Sequence, residues 1–264
     1  MITIREVTVE GIPYDVIISD EQETLSAAQA AGRVSVGLLH EDGCQNLSGT
    51  EYLVTSLDAV DEVYLEHVVR RFLGLPWIIG ESDRLCIREF VTSDAYLIPE
   101  EADETPEDAV FHSPEKLAAY IQGQYRFYEY GIWAVVRKED GAIVGTAGVS
   151  DCDILRDCKG IVCSDSDACR NGAESYNQLQ LELGYHIFTP YRRQGYAMEA
   201  CRLIITYVRA ELGTPLFAVT ERNNLISRRI LMKLGFTEFQ SGIHPSTEQK
   251  YTQSAAPLYR CVLY

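Results

Sequence analysis

Tyr185-His186-Ile187-Phe188-Thr189-Pro190-Tyr191-Arg192-Arg193-Gln194-Gly195-Tyr196-Ala197 is the stretch whose reading decides the fold. A run with strand character ends at Pro190, crosses a short basic turn containing one glycine, and enters a long amphipathic helix. Strand, turn and helix in that order aim backbone N–H groups and the positive end of a helix dipole at one point. Such a point suits a pyrophosphate, so a phosphate-bearing cofactor could sit here.

Downstream, a helix is expected over 193–212, with Ala197, Cys201, Ile204, Val208 and Leu212 on one stripe. It stops at Gly213, with Pro215 behind it. Residues 216–220 read as a strand, and Asn224 as the cap of a helix running to Leu234. Gly235 takes the position after that helix, with Phe236 folded back on its last turn. Strands near 236–240 and 257–263 close the chain.

Upstream, 178–188 is one long strand. Before it, 131–137 and 142–149 form a hairpin announced by Asp140-Gly141. A helix capped by Ser113 runs over 114–127, with Leu117, Tyr120, Ile121 and Tyr125 spaced for one face. Residues 84–90 alternate like a strand.

Residues 1–80 differ in character, with 13 acidic residues, 4 arginines and no lysine. They hold -9 of the chain's net charge of -16. Strands at 14–19, 34–39 and 52–56 alternate with helices at 20–31 and 61–73, the second carrying Leu65, Val68, Val69 and Phe72 on one face. That order predicts a small parallel, Rossmann-like α/β region. Leu73-Gly74-Leu75-Pro76-Trp77 is the expected hinge, giving regions 1–80 and 81–264.

The acidic balance repels nucleic-acid phosphate and leans toward cationic substrates or plain solubility. No run of about 18 apolar residues is present, so no membrane span is expected. The opening Met1–Glu6 lacks a basic segment followed by an apolar one, and cytoplasmic residence is the expectation. Eight cysteines in 264 residues fall short of a disulfide scaffold, and Cys86 and Cys201 read as small core hydrophobes.

Arg192-x-x-Gly195-x-Ala197 resembles the acetyl-coenzyme A (acetyl-CoA) turn of the GNAT N-acetyltransferases. From Arg84 onward the element order is similar to theirs, and further words agree. Arg84-Leu85-x-Ile87-Arg88-Glu89, Leu181-Glu182-Leu183-Gly184-Tyr185, Gly195-Tyr196-Ala197-Met198-Glu199-Ala200 and Asn224-x-x-Ser227 with Leu234-Gly235-Phe236 resemble the branch that includes ribosomal-protein N-terminal acetyltransferases. The resemblance implies a mixed, mostly antiparallel sheet whose fourth and fifth strands splay around the pantetheine arm. Tyr185, Ile187 and Phe188 then form the pantetheine edge. The N–H groups of Arg193, Gln194, Gly195, Tyr196 and Ala197 hold the pyrophosphate, Arg192 adds charge, and Asn224 both caps its helix and reaches the pantetheine.

The reaction implied is acetyl transfer from acetyl-CoA to a primary amine by direct attack. Glu182, mid-strand between Leu181 and Leu183, is the candidate base, against a solvent-facing strand glutamate. Many relatives place an acidic tyrosine seven residues after the asparagine, where this chain has Leu231. Ser227 is the substitute in the resembling branch, against a small helix residue near a cap, and Tyr185 and Tyr196 stay open. An acyl-CoA sensor without turnover is the rival reading. The acceptor, whether a protein N-terminus or a small amine, and a homodimeric assembly stay open too.

Residues 27–32 followed by an apolar strand look like the last quarter of a haloacid dehalogenase-like domain, without its paired-aspartate nucleophile strand. Between 150 and 177, Cys152, Cys158, Cys163 and Cys169 are interleaved with aspartates, but at spacings unlike structural zinc sites, and no metal is assigned. An acidic loop over the acceptor cleft is the expectation there. His186 is expected in a packed or hydrogen-bonded role.

Overall fold

The computed structural model describes residues 1–40, 45–101, 108–152, 180–238 and the backbone of 258–263. The chain divides into two compact units, Met1–Trp77 and Ile78–Tyr264.

The first unit contains β1 (Ile2–Val9), β2 (Ile12–Ser19), α1 (Gln22–Ala30), β3 (Ser35–Leu38), β4 (Leu53–Val54) and α2 (Glu62–Phe72). Its sheet has the order β1-β2-β3-β4. The β2–β3 and β3–β4 pairs are parallel, with α1 as the crossover between β2 and β3. The sheet is mixed rather than wholly parallel, because β1 runs antiparallel to β2. Glu10 and Gly11 close that hairpin, with φ of 50° and 78°. Two left-handed residues in succession form the turn whose twist matches flanking strands. On α2, Leu65, Val68 and Val69 face the core as expected, whereas Phe72 is 46% exposed at the helix's end.

The second unit begins with β5 (Ile78–Glu81) and β6 (Leu85–Arg88). The boundary read at residue 80 therefore falls inside β5, which pairs with β6. Next come α3 (Pro114–Tyr120), a π turn at Ile121–Tyr125 and a single turn α4 (Arg126–Tyr128). The Ser113 hydroxyl caps α3 by accepting the Lys116 N–H. The hairpin strands are β7 (Ile132–Arg137) and β8 (Ile143–Asp151), followed by β9 (Leu181–Ile187). Then come α5 (Tyr196–Tyr207) with a π turn at Val208–Leu212, β10 (Leu216–Glu221), α6 (Leu225–Lys233), β11 (Thr237–Glu238) and β12 (Leu258–Leu263).

The eight strands are ordered β11-β12-β10-β9-β8-β7-β6-β5. Among the described residues only β9 and β10 run parallel, and every other pair is antiparallel. A mixed, mostly antiparallel sheet is what the resemblance implied. Helix α5 lies on it against β5, β6, β8 and β9, burying Ala200, Cys201 and Ile204. Complete burial of Ile204 contributes roughly 1.5–3 kcal/mol. The Trp133 and Tyr207 rings meet edge to face at 5.5 Å on that side of the sheet.

Candidate active site

The site begins where two neighbouring strands part. Strand β9 is paired with β8 along its whole length, from Leu181↔Asp151 to Ile187↔Gly145. Strand β10 is likewise paired with β12 from Leu216 to Glu221. Between them the register holds only Leu216↔Leu181 and Phe217↔Glu182 among the described residues. Beyond Glu182 the strands diverge and open a wedge.

Hydrogen-bond phase decides what faces that wedge. Phe188 N–H donates to the Val144 carbonyl at 3.0 Å, and Cys152 N–H to the Gln180 carbonyl at 2.9 Å. Even-numbered residues of β9 therefore bond to β8, and the backbone groups of Leu183, Tyr185 and Ile187 turn toward β10. Side chains alternate independently of this. Leu181, Leu183 and Ile187 are buried, and half-buried Glu182 shares the opposite face with Gly184 and His186. Glu182 thus stands at the vertex of the wedge, directly across from Ser150 on β8.

The turn after β9 starts with Thr189–Tyr191 as a short 3₁₀ segment. Arg193 and Gly195 then adopt left-handed backbone, with φ of 64° and 85°. Glycine takes this conformation without the penalty a Cβ brings, and Gly195 is the N-cap residue of α5. No side chain among the described residues caps α5. The N–H groups of Tyr196, Ala197 and Met198 are those a helix cannot bond internally. A left-handed residue followed by an uncapped helix start collects amide dipoles into an anion-binding concavity. Those residues fit a diphosphate.

Side chains fix this turn from outside. Arg84 donates from Nη1 to the Gln194 carbonyl at 3.1 Å and from Nε to Glu199 at 2.9 Å, and it lies 4.9 Å over the Tyr196 ring. Glu199 also accepts the Ser82 hydroxyl at 2.6 Å. Burial opposes the charge of Glu199, yet the Ser82 and Arg84 donors hold its carboxyl below its ordinary value. Tyr196 is 5% exposed, so its side chain packs beneath the turn. Arg192 donates from Nε to the Ile187 carbonyl at 2.7 Å and from Nη2 to Glu101 at 3.1 Å. Its Nη2 also stands 3.3 Å from the His186 Nε2, giving His186 the hydrogen-bonded role expected of it.

At the same end of the parallel pair, β10 leads into α6. The Asn224 Oδ1 accepts the Ser227 N–H at 3.1 Å and caps the helix as expected. The far end closes with Gly235 N–H to Met232 and Phe236 N–H to Leu231 carbonyls, both Phe236 and Leu231 being buried. Leu231 is 2% exposed and belongs to the core. Topology brings Tyr185, Ile187, Phe188, the turn and the starts of α5 and α6 to one end of the splayed strands. Glu182 lies at the other.

The residues missed in sequence are Arg84, Glu101, Thr189 as a side chain, and Glu199. Arg84 and Glu199 lie inside quoted words, and their opposite charges were the available signal; Glu101 had none. Of the four-cysteine stretch, Cys152 is buried, and Cys158, Cys163 and Cys169 lie outside the described residues. Among the described residues no group of His, Cys, Asp and Glu could hold a metal ion. No described helix is long and apolar enough to cross a membrane.

Residues 84–237 match the family described as the acetyltransferase (GNAT) domain, which is more than half of the 264-residue chain. The chain belongs to this family and is an acyltransferase of the GNAT type. The match does not reach the haloacid dehalogenase-like words at 27–32. Among solved structures, it is similar to a protein described as a GnaT-family acetyltransferase of Bordetella pertussis, with 18% identity and a TM-score of 0.47. That similarity covers 70% of this chain and 98% of the other. It is also similar to the ribosomal-protein-S5-alanine acetyltransferase of Vibrio fischeri, with 17% identity, 70% and 94% coverage, and a TM-score of 0.47. A third, described as a Salmonella typhimurium acetyltransferase with its cofactor acetyl-CoA, shares 17% identity over 68% of this chain and 92% of that one, with a TM-score of 0.40. The assignment rests on the family match alone.

Proposed function

We propose that the chain transfers the acetyl group of acetyl-CoA to a primary amine by direct attack, with Glu182 receiving the proton that the amine gives up. The observation that carries this is the two-rung junction of β9 and β10, with Glu182 on its last rung. Backbone groups of Leu183 and Tyr185 line the wedge, and the left-handed Gly195 with the uncapped start of α5 fits a diphosphate at its end.

Acetyl-CoA supplies a thioester, whose C–S bond breaks as the amine nitrogen bonds to the carbonyl carbon. An alkylamine with a pKa near 10 is mostly protonated at neutral pH, so a carboxylate near the cleft, acting directly or through one water, raises the fraction able to attack. Ser227, one turn into α6 and half-buried, is proposed to hydrogen-bond the thioester sulfur, or to lend the departing thiolate a proton that solvent returns to its hydroxyl in the same step. Asn224 joins its capping role to a contact with the pantetheine arm. The acceptor belongs to the classes the resembling branch suggests, a protein N-terminus or a small amine, and the net charge of -16 favours cations. Cytoplasmic residence belongs to the same reading.

The test is thiol release from acetyl-CoA with pooled amines and N-terminal peptides. Release that requires an amine supports the enzyme. Tight acetyl-CoA binding with no release from any pool favours the sensor reading, which the buried Leu231 keeps in play.

A further inference from the structure

A carboxylate far away in sequence holds the cofactor turn. The Glu101 Oε1 accepts the Thr189 N–H at 2.9 Å, and its Oε2 accepts the Thr189 hydroxyl at 2.6 Å and the Arg192 Nη2 at 3.1 Å. Its Oε2 also lies 3.7 Å from the His186 Nε2. The Glu101 side chain is 5% exposed, whereas that of Arg192 is 40% exposed. Burial opposes its charge, but the two Thr189 donors, Arg192 and His186 together hold the carboxyl below its ordinary value, so it stays ionised.

These bonds form a closed brace. The chain leaves β9 at Ile187, whose carbonyl is held by the Arg192 Nε at 2.7 Å. The Arg192 guanidinium reaches Glu101, and Glu101 returns to the Thr189 amide, so both ends of the turn's first half are fixed to one carboxylate. The segment that delivers Glu101 is itself anchored upstream. Asp94, 3% exposed, takes a two-pronged contact from Arg88 at 2.7 and 3.0 Å and accepts the Val91 N–H at 2.8 Å. Glu101 is thus delivered from an anchored segment. A carboxylate so enclosed makes sense only if its partners need it, because an isolated buried charge is costly.

We propose that Glu101 is a positioning residue for acetyl-CoA, and that Arg192 is a brace of the turn and not a ligand of the diphosphate. The inference rests on the acetyltransferase reading of this site. With Arg192 neutralised by Glu101, the attraction for the diphosphate comes from the amides around Gly195, and Glu101 sets where those amides point.

The experiment is calorimetric titration of acetyl-CoA into the full chain, for wild type, Glu101→Ala, Arg192→Ala and the double variant, beside thiol-release kinetics. Glu101→Ala is expected to weaken binding and raise KM for acetyl-CoA about tenfold, with kcat at saturation within about twofold of wild type. The double variant is expected to bind no worse than the weaker single one, since both break one brace. Thr189→Val, which removes only the hydroxyl donor, weakens binding to a lesser degree and serves if Glu101→Ala does not fold. Tighter binding in Glu101→Ala overturns the proposal, because the carboxylate would then be competing with phosphate for Arg192. Unchanged binding, or kcat and melting temperature falling together with it, overturns it too. A wild type that binds no acetyl-CoA overturns the functional reading and this one with it. A wild type that binds and a Glu101→Ala that binds equally well overturn this one alone.

Discussion

Glu182 on β9 stands opposite Phe217 on β10, on the last rung the two strands share. One residue further the strands have parted, so the carboxylate sits where backbone pairing gives way to the wedge. Glu182→Gln keeps size and hydrogen bonding but removes the base. It is expected to lower kcat by about a hundredfold or more while leaving acetyl-CoA affinity within about twofold. Steady-state kinetics and a binding titration together check this, and undiminished turnover would remove Glu182 from the chemistry.

Gly195 carries φ of 85°, and a Cβ placed there would meet nothing nearer than the Arg84 Nη2 at 3.5 Å. Space is available, so the cost of a side chain is conformational. Gly195→Val is expected to cost about 1–2 kcal/mol, because left-handed backbone penalises a residue with a Cβ. The turn's amides would be re-aimed as well, so acetyl-CoA affinity should fall at least tenfold. Chemical denaturation and titration report the two effects separately.

Asn224 caps α6 through the Ser227 N–H. Asn224→Ala is expected to cost about 1 kcal/mol of stability. Asn224→Ser restores a capping oxygen and therefore stability, but the shorter side chain leaves acetyl-CoA affinity reduced. Recovery of both in the serine variant would make Asn224 a cap and nothing more.

His67 in the first unit stacks on Trp77, with ring centroids 4.4 Å apart and its Nε2 buried. Burial, then the nearby Arg71 charge, lowers its pKa from 6.5 to about 3. Between those values the unfolded chain holds a proton that the folded chain does not. Its contribution is therefore fully present above pH 6.5 and is lost progressively as pH falls toward 3. His67→Phe is expected to narrow the stability gap between pH 7.5 and pH 5 by about 2 kcal/mol. Urea unfolding of the first unit at the two pH values measures it, and an unchanged gap would discount His67.

The parts legible in sequence are those written in local chemistry. Asp140-Gly141 marks a hairpin, Ser113 and Asn224 cap helices through their own side chains, and Gly213 and Gly235 take left-handed conformations at helix ends. The uncapped helix after a basic turn is equally local. Strand β1 was missed because only Val7 and Val9 of its inward face are buried while Ile2 and Ile4 are more than half exposed, so no clean alternation is visible. Its Glu10-Gly11 turn also lacks the asparagine or aspartate that announces such turns. The π turns at 121–125 and 208–212 leave the apolar spacing nearly intact, so pattern alone reads straight through them. Glu101 was invisible for a different reason. Its partner Thr189 is 88 residues away, and no local rule pairs a glutamate with a turn at that distance.

Mechanically, the eight-stranded sheet is two leaves on a short spine. One leaf is β5 to β9 and the other β10 to β12, and among the described residues two rungs at Leu181 and Glu182 join them. A change in the gap between the leaves can be absorbed by flexing at that spine, with every other ladder left whole. A substitution at Phe217, which shares the last rung with Glu182, is therefore expected to change how far the two leaves part.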